Sequence, residues 1–186
     1  MGIFGLGKKG KSSGKKVLMT GKMENSKFHP FDKVSKILTD IVEESGHSVK
    51  ISENLDDYRY YSLSAYDLLI SYTDEWETEF NEAWIDGLKR FVENGGGIIV
   101  IHSGIGSKSD AYHRLIGAKF TEHPPRQNYS VKIMSITHPV TAEIASFTVN
   151  DEFYKFEFFD DVKVEVLAYS ILGEVSQPSV WVRDVG

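Results

Sequence analysis

The chain contains no cysteine. That excludes disulfides, thiolate metal sites and a thiol nucleophile in one step. No apolar run approaches the roughly 18 residues that a membrane-spanning helix needs. The N-terminal stretch MGIFGLGKKGKSSGKK puts a short apolar start before its lysines, the reverse of a secretory signal's order. Leu6 stands where a myristoylation motif beginning at Gly2 wants Ser or Thr. A cytoplasmic location is therefore expected. Basic charge is also scarce: the formal net charge is −6, and Lys8, Lys9, Lys11, Lys15 and Lys16 supply five of the 21 basic residues, so without them the remainder stands at −11. A phosphate-backbone partner usually requires a basic face on the fold itself, so no nucleic-acid partner is expected. Neither an HxxxH nor an HxH spacing occurs, which leaves no preformed metal motif to read.

What is present describes one globular domain. The 186 residues are 41% hydrophobic and 26% charged, an ordinary mixture that can bury a core. Residues 1–15, rich in Gly, Lys and Ser, read as a flexible basic tail, and 16–186 as a single domain. KVLMT (16–20) is a buried first strand. Val34, Ile37, Leu38, Ile41 and Val42 repeat at helical spacing after Pro30, and the helix closes near Gly46. Ser48–Ser52 and YDLLISY (66–72) follow as strands. A second helix over about 78–93 carries Trp84, Leu88, Phe91 and Val92 on one face, and glycines 95–97 end it. IIVI (98–101) is a central strand. This alternation means parallel strands with right-handed crossovers, so the fold class is α/β with a doubly wound, mostly parallel sheet. In the last third, 130–136 and 162–169 read as strands joined by a long, aromatic-rich connection.

In such a sheet, ligands bind beyond the carboxyl ends of the strands. Three places meet that rule: Gly21 onward, Tyr72–Asp74 and His102–Ser103. The turn HSGIG (102–106) frees backbone amides to face a ligand, although glycine-rich turns also serve plain geometry. His29, His123 and His138 each precede a proline, which holds the residue extended and fixes the direction of its imidazole. An ordinary turn needs the same pair, and His138 in THPVT reads as a structural loop. His47 reads as a strand edge and His113 as a helix surface. Asp151–Glu152 supplies carboxylates for a base or a metal, though most such pairs are solvated; Tyr154 shares a face with Glu152 if the segment is extended.

Three segments taken in order, GGGIIVIHSG (95–104), YHRLIGAKFTEHP (112–124) and THPVTAEIASFTVNDEFY (137–154), resemble the trehalose-utilisation (ThuA-like) family. PSVWVRDVG (178–186) is similar to the family's late P-x-x-W strand, so the resemblance spans about residues 16–186. It implies a class I glutamine amidotransferase-like fold, related to flavodoxin-like sheets, without that superfamily's catalytic cysteine. His102 or its neighbour then occupies the nucleophile-elbow position. The family is associated with sugar metabolism, trehalose utilisation in particular, and its members often accompany sugar dehydrogenases. Carried over residue by residue, the implied site is His29, His102, Tyr112, His123, Glu152 and Tyr154. Family members usually continue through a Gly-Lys-Gly-Arg-Val-like strand to a Gly-His pair, so the domain is expected to lack the family's last strand.

Two functions follow from the resemblance. In the first, the domain acts on a small carbohydrate, trehalose-related or a keto sugar. His102 and His123 are then acid/base groups, Glu152 a base or ligand, and His29, Tyr112 and Tyr154 contact the substrate. Imidazole suits proton transfer because its ordinary pKa, about 6.5, lies near neutrality. No cofactor is expected; a variant places a divalent metal on His102, His123 and Glu152. In the second, the domain is a non-catalytic sugar-binding or interaction module, in which some of the nine tyrosines and three tryptophans stack on sugar rings. A serine hydrolase built on Ser103 is set aside, since the nucleophile motif wants glycine at position 101 and the residue is Ile101. A thiol-dependent amidotransferase is excluded for want of a thiol.

Overall fold

In β1 (Lys16–Gly21), Val17 and Met19 point to one side, Leu18 and Thr20 to the other, and all four are buried. A strand buried on both faces belongs inside a sheet covered by helices on both sides. The structure, a computed structural model describing residues 14–23 and 28–185, has that arrangement. β1 pairs in parallel with β2 (Ser48–Ser52) and β3 (Leu68–Tyr72), and β3 with β4 (Gly97–Val100), giving the order β2-β1-β3-β4. On one face α1 (Phe31–Glu44) lays Phe31, Val34 and Leu38 against Val17, Met19 and Ile70. On the other, α2 (Tyr60–Leu63), α3 (Glu82–Glu93) and α4 (Asp110–Ile116) pack Leu63, Leu88, Phe91 and Tyr112 around Leu18 and Leu69. The sheet is therefore doubly wound, as the strand–helix alternation implies.

The departures are local, save one: IIVI, read as a central strand, forms β4 at the edge of the parallel sheet, paired only with β3 and with Ile99 exposed, because two apolar faces do not fix a strand's place in the sheet order. Residues 1–13 of the expected tail lie outside the described residues, but Lys15 is held: its carbonyl accepts from Ser48 N at 2.9 Å and its Nζ pairs with Asp67 at 2.9 Å. Ile37 and Ile41 of the α1 stripe stay exposed, because the stripe is wider than the strip of sheet beneath it. α3 begins at Glu82, not near residue 78, because Asn81 caps it: the Asn81 side chain accepts from Trp84 N at 3.0 Å.

The last third builds something the sequence reading did not anticipate. β6 (Gln127–Ile133), β7 (Phe147–Asp151), β9 (Glu165–Leu172) and β10 (Val175–Val182) form a second sheet, wholly antiparallel, in the order β10-β9-β6-β7. β5 (Ala118–Glu122) pairs with β8 (Lys155–Phe158) as a separate two-stranded ribbon. Strands β7 and β8 lie within the stretch read as a connection. Trp181 joins the two halves: its Nε1 donates to the Ile116 carbonyl at 2.8 Å and its ring packs edge-on against Phe156 and Phe158. No helix among the described residues is long and apolar enough to cross a membrane.

Candidate functional site

All three strand ends singled out by topology carry a residue of one cluster. His29 lies between β1 and α1, Asp74 just beyond β3, and His102 just beyond β4, where it opens a short 3₁₀ turn, His102–Ile105. Asp74 (φ 57°) and His102 (φ 49°) both hold left-handed backbone, which costs an ordinary residue on the order of 1 kcal/mol or more. The turn after His102 lies directly on β3. A Cβ on Gly104 would stand 2.2 Å from the Ser71 carbonyl oxygen, so only glycine permits that approach. Tyr112 secures the turn from behind by donating its hydroxyl to the Gly104 carbonyl at 2.7 Å.

The antiparallel half supplies the rest. Glu152 follows β7, and its carbonyl accepts from the Tyr129 hydroxyl at 3.2 Å. Phe153 turns into the core, which sends Glu152 and Tyr154 toward the strand ends. The Tyr154 ring stacks on His102 at 4.6 Å and on His123 at 5.4 Å, and Phe120 packs against it at 4.6 Å. Trp76 closes that aromatic wall, 4.9 Å from Phe120.

The polar atoms converge on one carboxylate. Glu152 Oε2 lies 3.4 Å from His102 Nε2 and 3.9 Å from His29 Nε2, while Oε1 lies 3.9 Å from His123 Nε2. The Tyr154 hydroxyl is 3.4 Å from His102 Nε2 and 3.5 Å from His29 Nε2. Two of the three imidazoles have fixed tautomers. His29 Nδ1 sits 2.8 Å from Asp74 Oδ1 and His123 Nδ1 sits 2.9 Å from the Pro124 carbonyl. Neither oxygen can donate, so both Nδ1 atoms carry the proton, and each Nε2 turns toward Glu152. Trp76 Nε1 donates to the same Asp74 oxygen at 2.7 Å and holds that carboxylate in place.

Burial shapes the charge states. Desolvation, followed by the nearby His29, pushes the His102 pKa below its ordinary 6.5 against the pull of Asp151 and Glu152, so His102 is neutral at pH 7. Burial, then the charge of Glu152, raises the Tyr154 phenol and keeps it protonated. Glu152 Oε2 is buried and has no hydrogen-bond partner among the described residues. A cavity of about 880 Å³ opens beside the cluster, with His102, Glu152 and Tyr154 on its polar wall and Ile98, Ile105 and Trp181 among its apolar residues.

Of the six residues expected at the site, five come together: His29, His102, His123, Glu152 and Tyr154. Tyr112 does not. It is buried in the core against Phe80, 4.6 Å away, because the apolar face of α4 turns it inward, and it touches the site only through the Gly104 carbonyl. His113, read as helix surface, is buried as well, with burial lowering its pKa. His138 accepts from Val140 N at 3.2 Å, in keeping with a structural turn, and His47 accepts from Lys15 N at 3.2 Å at the edge of the parallel sheet. The metal variant named His123, yet the trio whose ligand atoms lie within 4.8 Å of one another is His29, His102 and Glu152. Asp74 and Trp76 were missed. The strand-end rule had already reached Asp74; the unused signal was that a carboxylate there can orient an imidazole from a neighbouring strand end.

The doubly wound parallel sheet is the class of fold that ThuA-like and glutamine amidotransferase-like proteins share. The sequence matches the trehalose-utilisation family model, ThuA, over residues 16–186, and the chain belongs to that family. Among solved structures it is similar to a ThuA-like protein of Bacteroides uniformis (TM-score 0.73, 22% identity, covering 92% of this chain and 78% of that one). A cytoplasmic protein of Salmonella typhimurium aligns with a TM-score of 0.61 at 13% identity, over 91% of this chain and 83% of its own. A glutamine amidotransferase of Thermotoga maritima aligns with a TM-score of 0.50 at 11% identity, over 88% of this chain and 74% of its own. No curated protein matches the sequence. At these identities the solved structures establish the fold alone.

Proposed function

We propose that this trehalose-utilisation domain processes a small carbohydrate in the crevice at the strand ends, by acid–base chemistry on a sugar hydroxyl or on a carbon beside a keto group. The observation that carries the reading is the convergence of three imidazole Nε2 atoms on the Glu152 carboxylate. A solvated acidic pair has no such surroundings. His102 is uncharged at neutral pH because it is buried, so it can take a proton, and His123, at the rim, can return one. Glu152 is the base or the group that holds the developing imidazolium. His29 and Tyr154 place donors and acceptors at substrate distance, and the half-buried Trp76 and Phe120 offer aromatic surface against which a pyranose can stack. The cavity volume falls in the range of small-ligand pockets, roughly 300–1,000 Å³.

Thermal-shift titration with mono-, di- and keto-saccharides tests binding. The wild type is expected to be stabilised by a disaccharide or a keto sugar, and His102→Ala to lose the effect. No stabilisation by any of the three classes overturns the reading. Turnover of a 3-keto sugar is expected to fall by about 100-fold or more in His123→Ala and Glu152→Gln, the usual weight of a general acid or base. Binding without turnover in the wild type selects a sugar-binding module instead.

A further inference from the structure

We infer that His29, His102 and Glu152 form a binding site for one divalent first-row transition-metal ion, with Asp74 as the carboxylate that orients His29. The inference rests on the crevice being the functional site, and it changes the part played by His102 from proton carrier to ligand.

The donor set is the first ground. Two imidazoles and one carboxylate turn Nε2, Nε2 and Oε2 to a common point, with His102 Nε2 3.4 Å and His29 Nε2 3.9 Å from Glu152 Oε2. Ligands about 2.0–2.1 Å from a tetrahedral ion stand about 3.3 Å from one another, so the His102 edge is already near bonding geometry and the His29 edge needs a contraction of about 0.6 Å. The orientation of His29 is the second ground. Asp74 holds the Nδ1 side of His29, which turns Nε2 toward Glu152 as the ring atom available to a metal. An imidazole whose far nitrogen donates to a carboxylate is also the arrangement that metal-binding histidines use to fix their orientation and raise their basicity. The third ground is Glu152 Oε2 itself, buried without a hydrogen-bond partner among the described residues.

The ligand types name the class of ion. Two nitrogens and one oxygen suit Zn²⁺, Mn²⁺ or Co²⁺, whereas Mg²⁺ and Ca²⁺ prefer all-oxygen sets. Three protein ligands leave coordination positions open, as in catalytic sites, for water or a sugar oxygen. The other Glu152 oxygen faces His123, which is thus left free to carry protons beside the ion. The ligands stand at positions 29, 102 and 152, on three separate loops, which is why no short motif marks them.

The test uses the full chain, stripped with chelator and titrated with Zn²⁺, Mn²⁺ and Co²⁺ salts alone. One ion per chain is expected by elemental analysis, with visible ligand-field absorption for Co²⁺ that reports nitrogen and oxygen ligands. His29→Ala, His102→Ala and Glu152→Gln are each expected to weaken binding by at least about 100-fold, since each removes one of only three ligands. Asp74→Asn, which keeps the shape of the side chain, is expected to weaken it by about 10–100-fold, the usual cost of losing such an orienting carboxylate. Circular dichroism checks that each variant is folded, and Asp74→Asn supplies the answer if a ligand variant is not. His123→Ala is expected to keep its metal. Absence of stoichiometric binding, or binding unchanged in folded His102→Ala and Asp74→Asn, overturns the inference. A metal bound as expected without any effect of sugars leaves the inference standing and removes the carbohydrate reading. Sugar binding and turnover in a stripped protein that takes up no metal overturn the inference and leave the carbohydrate reading standing.

Discussion

The two halves of this chain stabilise themselves differently. In the parallel half, β1 and β3 are buried on both faces, and ten of the twelve largest fully buried side chains, all but Phe153 and Leu167, belong to it and to the helices around it. In the antiparallel half, β6 and β7 alternate mainly between half-buried and exposed positions, deep burial centres on Leu167 and Ala168 of β9, and Met134, Ile136, Val140, Ile144 and Phe147 remain exposed. The site draws on both. The parallel half contributes strained strand ends, which give His102 and Asp74 fixed directions. The antiparallel half contributes a loop, Glu152 to Tyr154, held through its carbonyl and through Phe153. Rigid imidazoles thus meet a carboxylate from a less deeply buried layer, a division that suits a site in which one wall adjusts to a ligand.

Substitutions that treat the halves alike should expose the contrast. The largest effect is expected for Leu69→Ala, at the centre of β3 and fully buried: about 2–5 kcal/mol by urea unfolding, from lost burial and the cavity left behind. Val149→Ala on β7, half-buried, should cost about 1 kcal/mol or less. Equal costs would remove the distinction. Gly104→Ala comes next, at about 1–3 kcal/mol, because the new methyl group meets the Ser71 carbonyl. Unlike Leu69→Ala, it should displace His102 and so abolish ligand binding in a protein that remains folded. The smallest effect concerns pH. Burial holds His113 below its ordinary 6.5, so between the folded and unfolded values the unfolded chain binds more protons. The stability present above pH 6.5 is therefore lost as pH falls toward the folded value, and His102 acts with the same sign. In His113→Asn the melting temperature should fall less steeply between about pH 7.5 and pH 5.5 than in the wild type. An unchanged slope would show that His113 does not titrate on unfolding.

Legibility followed the same divide. KVLMT is apolar at both parities, and a sheet covered on both faces accommodates such a strand, so the doubly wound half could be read directly; IIVI has the same pattern but lies at the sheet edge with Ile99 exposed, so its strand was legible and its place in the sheet was not. FTVND and KFEF are short, half-polar and bounded by no turn residues as clear as the glycines at 95–97, so β7 and β8 disappeared into a connection. Within the site, His102 was legible because it ends the most strand-like run in the chain. His29, His123, Glu152 and Tyr154 needed the resemblance of the ordered segments. Tyr112 matched in sequence, but helical phase decides which way its side chain points, and α4 turns it into the core.

By itself, the sequence excluded thiol chemistry, revealed the parallel rhythm and put a histidine at the end of a parallel strand. These are local properties, set by composition and by the alternation of side chains along one element. The tertiary structure alone decided that Asp74 binds His29, that Glu152 lies between three imidazoles, and that His29 and not His123 completes the trio with His102. Those distances depend on sheet order, on the packing of a second sheet against the first and on two left-handed backbone positions, and no spacing along the chain records them.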